Sequence, residues 1–154
     1  MSEKIEIKIK EGLNELRFGL SMGGVRKILG NPDDTEIDEE DENKTEIWYY
    51  WDHGITVFFD YAEEKRCTCL ETENNEATLL GKPITEIKEA DVKELFSKKG
   101  YSDFETEDEA WGERRVSIND AVVDIYFDND EIVSVNWGVD YNDDEEPVWP
   151  RNNS

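Results

Sequence analysis

The feature that most restricts how this chain can fold is an apolar residue at every second position, found twice, each time bounded by turn-forming residues. Ile55-Thr56-Val57-Phe58-Phe59-Asp60 follows Asp52-His53-Gly54, and Val123-Asp124-Ile125-Tyr126-Phe127-Asp128 follows Asn119-Asp120-Ala121. A period of two is that of a strand with one face buried and one free. Alternation sends Ile55, Val57 and Phe59 inward and Thr56, Phe58 and Asp60 outward. In the second run it sends Val123, Ile125 and Phe127 inward with Val133, Val135 and Trp137, leaving Asp124, Tyr126, Asp128, Ser134 and Asn136 outward. Further strand-like stretches follow at 65–71 and 131–138.

A short amphipathic helix precedes each set of strands. In the first, Ser21 is placed to cap the helix, Val25, Ile28 and Leu29 form its apolar stripe, and Gly30 with Pro32 stops it. In the second, Val92, Leu95 and Phe96 form the stripe, Lys98 and Lys99 suit the negative end of the helix dipole, and Gly100 ends it. The order helix, aromatic strand, turn, strand, turn, strand thus recurs at a period of about 65 residues. It predicts an α+β fold of two tandem modules, each of short helices packed on a curved antiparallel β-sheet, at 1–76 and 77–140, with an acidic and polar C-terminal tail at 141–154.

Charge narrows the function classes. The 154 residues include 17 Lys+Arg against 40 Asp+Glu, a net charge of −23. Binding to bare nucleic acid needs cations for the phosphates, so that class is excluded as a direct partner. The acidity is regional: residues 1–30 are net positive, and acid concentrates in the runs Asp33–Glu42 and Asp140–Glu146. Such runs are expected as a solvated loop and a frayed tail, or as a surface that steers a basic protein partner. Neither run has the spacing of a calcium loop. Cys67 and Cys69 fall on the same side of a strand and read as reduced thiols, and His53 is the sole histidine, so neither a disulfide nor a structural zinc site is expected. The start of the chain shows no apolar leader and no cysteine for a lipid, and no apolar run reaches the ~20 residues that span a bilayer, so a cytoplasmic location without membrane contact is expected.

Only 36% of residues are hydrophobic, but the chain has five Trp, six Tyr and six Phe. Ile47-Trp48-Tyr49-Tyr50-Trp51 is aromatic on both faces, so whichever pair points outward, large amphipathic rings stand beside carboxylates. The same rings serve equally to stabilise the sheet across its strands. The candidate partner-binding residues are Trp48, Tyr50, Phe58, Asp60, Asp124, Tyr126 and Asp128.

The opening Phe18-Gly19-Leu20-Ser21, Val25 and Ile28-Leu29-Gly30-Asn31-Pro32, followed by strands ending Thr56-Val57-Phe58-Phe59-Asp60, resembles the helix-then-meander module of the beta-lactamase inhibitor protein family. It is also similar to the small outer-membrane lipoproteins of the barrel-assembly machinery. The resemblance implies two such modules in tandem and a binding rather than a catalytic role. The chain departs from both families: it shows no lipid-attachment cysteine and no second cysteine pair, and the inhibitor's contact loops find no match. No residue set assembles a nucleophile, base and orienting group around His53, and the phosphate-binding glycine motifs are missing, so neither enzymatic activity nor a cofactor is expected. Two classes remain. One is an acidic inhibitor or immunity-type protein that occludes a basic target such as a nuclease toxin; the other is an envelope-type assembly module that pairs through a sheet edge.

Overall fold

A computed structural model describes residues 5–39 and 44–150. Its elements are β1 (Ile5–Lys8), β2 (Gly12–Leu13), β3 (Leu16–Arg17), α1 (Met22–Leu29), β4 (Asp34–Asp38), β5 (Thr45–Tyr50), β6 (Ile55–Asp60) and β7 (Arg66–Thr72). The second half has β8 (Ala77–Leu79), β9 (Lys82–Pro83), α2 (Glu89–Ser97), β10 (Phe104–Asp108), β11 (Arg114–Ile118), β12 (Val123–Asp128), β13 (Glu131–Gly138), β14 (Asp140–Tyr141) and β15 (Pro147–Val148).

Both helices begin where side chains can satisfy free backbone groups. Ser21 Oγ accepts from the Gly24 N–H at 3.1 Å, and the Asp91 carboxylate accepts from the Lys88 N–H at 3.2 Å. Gly30, at φ 82°, closes α1 in a conformation that side-chain-bearing residues avoid. Val25, Val92 and Phe96 are buried, whereas Ile28, expected on the apolar stripe, is 43% exposed.

The alternating stretches form strands as expected, with Ile55, Val57, Phe59, Val123, Ile125, Phe127, Val135 and Trp137 in the core. Val133 departs from the expected pattern. A bulge shifts the β12–β13 register so that Phe127 faces Ile132 while Tyr126 faces Ser134, which makes Ile132 the residue packed on the core and Val133 the extra one. A second bulge, between β6 and β7, pairs Phe59 with Cys67 and Phe58 with Cys69.

The expectation of an α+β chain in two tandem helix-plus-sheet modules is corrected. Strands take 46% of the described residues and helical turns 18%, with two α-helices, so the fold is β-rich. Strands β4 to β7 and β10 to β13 do not form separate sheets. They join through antiparallel pairing of β7 with β13, Thr72 opposite Val135 through Cys69 opposite Gly138, into one eight-stranded sheet ordered β10-β11-β12-β13-β7-β6-β5-β4. The reason is physical: two separate sheets would each leave an edge of unpaired N–H and C=O groups at β7 and β13, and fusing them satisfies both. The first and second halves also meet in a smaller sheet, β3-β2-β1-β8-β9, where β1 runs parallel to β8 with Ile5 opposite Ala77.

This small sheet and the two helices cover one face of the large sheet around a continuous apolar core. The buried indole of Trp137 donates to the Gly12 carbonyl at 2.8 Å, tying the two sheets together. Gly12 cannot be replaced there, since its φ is 141° and a Cβ would lie 2.0 Å from the Leu16 carbonyl oxygen. The acidic runs are not plain loops. Residues 34–38 are the edge strand β4, with residues 40–42 of that run outside the described residues. Asp140 to Glu146 enters the β14–β15 hairpin, whose turn is held by Asn142 Oδ1 accepting from the Asp144 and Glu146 N–H groups at 2.9 Å.

Candidate interaction face

Among the described residues, the small sheet and the two helices leave the opposite face of the large sheet free, and Tyr141 of the C-terminal hairpin reaches onto it beside Asp124 and Asn136. Strand register places Ser117, Asp124, Asn136, Glu71, Thr56 and Tyr49 side by side on six successive strands from β11 to β5. Polar atoms along this row are bonded to one another. Ser117 Oγ donates to Asp124 Oδ1 at 2.5 Å, and the Cys69 thiol donates to Asn136 Oδ1 at 3.3 Å. Burial pushes the Cys69 thiol up to about 12, so it is no thiolate nucleophile near neutrality. Glu71 is half-buried in the middle of the row, and its carboxyl is raised first by that burial and then by Glu73, with Asn136 opposing and Glu113 adding to the rise. Among the described residues no cation forms an ion pair with it.

Of the residues singled out from the sequence, Phe58, Asp60, Asp124 and Tyr126 stand half-buried on this face, and Asp128 is exposed at the end of β12. Trp48 and Tyr50 do not belong to it, and this corrects their assignment as partner-binding residues. Both are 2% exposed on the inner face. Trp48 meets Phe59 edge-on at 4.7 Å, donates from Nε1 to Glu46 at 2.7 Å, and carries the Arg26 guanidinium 5.1 Å from its ring. The Tyr50 hydroxyl donates to the Gly30 carbonyl at 2.8 Å. The outward pair is therefore Tyr49 and Trp51. Tyr49 donates to Glu36 at 2.6 Å, a bond that with burial raises its phenol to about 12, and Trp51 is 65% exposed above a shallow cleft it shares with Asp34, Glu36 and Tyr49.

Two further residues went unnoticed in the sequence. Trp111, 64% exposed at the β10–β11 turn, lies over the same face with its ring 6.5 Å from that of Tyr126. Its surroundings, Glu109-Ala110-Trp111-Gly112-Glu113, show no periodicity that could have marked it. Arg115 is the second, held by Glu107 and, at 3.5 Å, by Glu109. Arg115 could have been found from its place one strand over from Tyr126, had the β11–β12 register been known. At the far end of the face Tyr141 of the C-terminal hairpin closes a cleft of about 320 Å³ with Cys69, Asp124 and Asn136. The Tyr141 phenol is raised to about 12, by burial first and then by Asp60 and Glu63.

His53 is exposed in the β5–β6 turn, where its backbone carbonyl accepts from Asn74 at 2.8 Å. Among the described residues no three His, Cys, Asp or Glu side chains converge as a metal site, and no helix is long and apolar enough to cross a membrane.

No family model matches the chain, and no curated protein matches it significantly. Among solved structures it is similar to the 1.5 Å crystal structure of an extracellular protein containing an SCP domain from Bacillus anthracis str. Ames. The identity is 17%, the TM-score 0.48, and the match covers 87% of this chain and 50% of that one. The chain thus spans half the length of that protein.

Proposed function

We propose that this chain is a non-enzymatic, protein-binding module: a cytoplasmic acidic inhibitor or immunity-type protein that sterically occludes a basic protein target, such as a nuclease toxin, with the uncovered face of its large sheet. One observation carries the reading. That face combines carboxylates, among them Asp60, Glu71 and Asp124, with the amphipathic rings of Tyr49 and Tyr126 and the apolar ring of Phe58, while Arg66 and Arg115, the cations at its strand positions, are already paired with Glu64, Glu107 and Glu109. Rings that bury area while keeping a polar handle, set among charges of one sign, suit a partner of the opposite sign. Pairing through a sheet edge is less well served. The edge strands β4 and β10 carry Asp34, Glu36 and Asp38, and Glu105, Glu107 and Asp108, and such charge is the usual guard against strand addition.

The test is a pull-down from host lysate and secreted fraction at low and at moderate salt, run with the wild type and with an Asp60→Asn, Asp124→Asn, Tyr126→Ala variant. The expected result is one basic protein, released as salt shortens the screening length to ~8 Å, inactive while bound, and lost with the variant. Capture that ignores both salt and the variant overturns the proposal.

A further inference from the structure

Among the described residues the two most exposed large apolar side chains are Trp51 and Trp111, at 65% and 64%, and both sit at hairpin turns at the same end of the open face. The register shows why they share that end. Tyr50, Ile55, Thr72, Val135, Ile125 and Val116 face one another across the strands, so the β5–β6 turn and the β10–β11 turn both lie beyond this row. Five strand spacings separate β5 from β11, roughly 24 Å, which an extended segment of about seven residues crosses. Each tryptophan has a tyrosine beside it, Tyr49 or Tyr126, and the patch around Trp51 adds the carboxylates of Asp34 and Glu36, whereas Glu107 and Glu109 at the Trp111 end are already held by Arg115. On β7, between β5 and β11 in strand order and one residue inside this row, stands Glu71, half-buried and without an ion-pair partner among the described residues.

Resting on the reading of this face as a protein-binding surface, we propose that its occupant is an extended arginine-bearing segment of the partner, laid across the strands with guanidinium groups stacked on Trp51 and Trp111 and a third paired with Glu71. The choice of arginine follows from geometry. A planar guanidinium stacks on an indole and still donates sideways to a carboxylate, whereas a lysine ammonium is a compact, strongly hydrated point charge. Trp51, beside Asp34, offers both contacts at once, and Trp111 offers the stacking contact. Pairing with an incoming cation also relieves the unfavourable burial of the Glu71 charge, which an uncharged segment would leave uncompensated.

The test titrates the full chain, followed by amide NMR shifts, with a nonapeptide of arginines and glycines and with its lysine counterpart. Trp51→Ala, Trp111→Ala and Glu71→Gln are titrated alongside; the first two remove exposed side chains and the third removes a poorly compensated charge, so all three should fold. The proposal expects shifts on β5, β6, β7, β12 and β13, tighter binding of the arginine peptide, and a loss of about three- to fivefold on removing either tryptophan. Glu71→Gln is expected to weaken the arginine peptide at neutral pH. Equal binding of both peptides on this face, unaffected by the tryptophan variants, would overturn the arginine clamp and leave the acidic binding face standing. Shifts confined to other surfaces would overturn both.

Discussion

On β5, Trp48 and Tyr50 are each 2% exposed, while Tyr49 between them stands half-buried on the other face and Trp51, one residue further, is 65% exposed. Four consecutive aromatic residues are thus divided between two environments with different chemistry. On the inner face the polar handles of the three rings at 2% exposure or less have partners from a covering element or neighbouring side chain: Tyr50 reaches Gly30 at the end of α1, Trp137 reaches Gly12 on β2, and Trp48 reaches Glu46. On the open face the groups are bonded to one another and carry charge that the chain does not neutralise, Glu71 above all. The comparison shows that residue type did not assign these faces. Cover did, because burying a ring with its N–H or O–H satisfied needs a second layer that supplies acceptors.

Breaking the inner face should have the largest effect. Trp48→Ala removes a fully packed ring and should cost about 3–5 kcal/mol in urea unfolding, by the cavity it leaves. Trp51→Ala, on the other side, should fall within about 0.5 kcal/mol of wild type, as exposed substitutions do. Comparable costs for the two would mean that the faces are not distinguished as described.

Trp137→Phe keeps most of the packing but strands the Gly12 carbonyl, and should cost about 1–3 kcal/mol by the same measurement. Ser21→Ala removes the cap of α1, the helix whose end accepts from Tyr50, and should cost about 1 kcal/mol. That loss should also raise the hydrogen-exchange rate of the Gly24 amide, which no longer has its Ser21 acceptor.

Glu71→Gln sharpens the contrast from the open side, with the smallest effect and the opposite sign. The carboxyl of Glu71 is raised in the folded chain, by burial first and then by Glu73. Below the unfolded-state value of ~4.3 both states are protonated and the group favours neither. As pH rises the unfolded chain ionises first, so the folded state loses stability through the window up to the raised folded value. The variant should therefore match wild type at pH 3 and be the more stable at pH 7 in paired denaturation curves. A variant less stable at pH 7 would mean that the Glu71 charge has a partner holding it in place.

Much of the local structure was legible. The period-two runs at 55–60 and 123–128, the Ser21 cap, and the glycine stops at 30 and 100 follow from backbone and side-chain preferences that act within a few residues. Val133 could not be placed, since a bulge is set by how two strands meet. The joining of β7 to β13 was hidden for the same reason: hydrogen bonding between strands far apart in the chain leaves no trace in either strand's alternation. The acidic runs misled differently. Like charges argue against packing, yet β4 needs only backbone pairing along one side, so its carboxylates stay in solvent while its ladder forms.

What the sequence by itself determined is the set of pieces: two short capped helices, alternating strands, and an excess of carboxylate that must end up on the surface. Tertiary structure alone decided which aromatic residues of β5 are core and which are free, that two meanders share one sheet, and that Trp51 and Trp111 face the same side. The reason is range. Helix caps, turns and side-chain alternation are settled by interactions over a few residues, whereas the identity of a face is settled by what arrives to cover it from the rest of the chain.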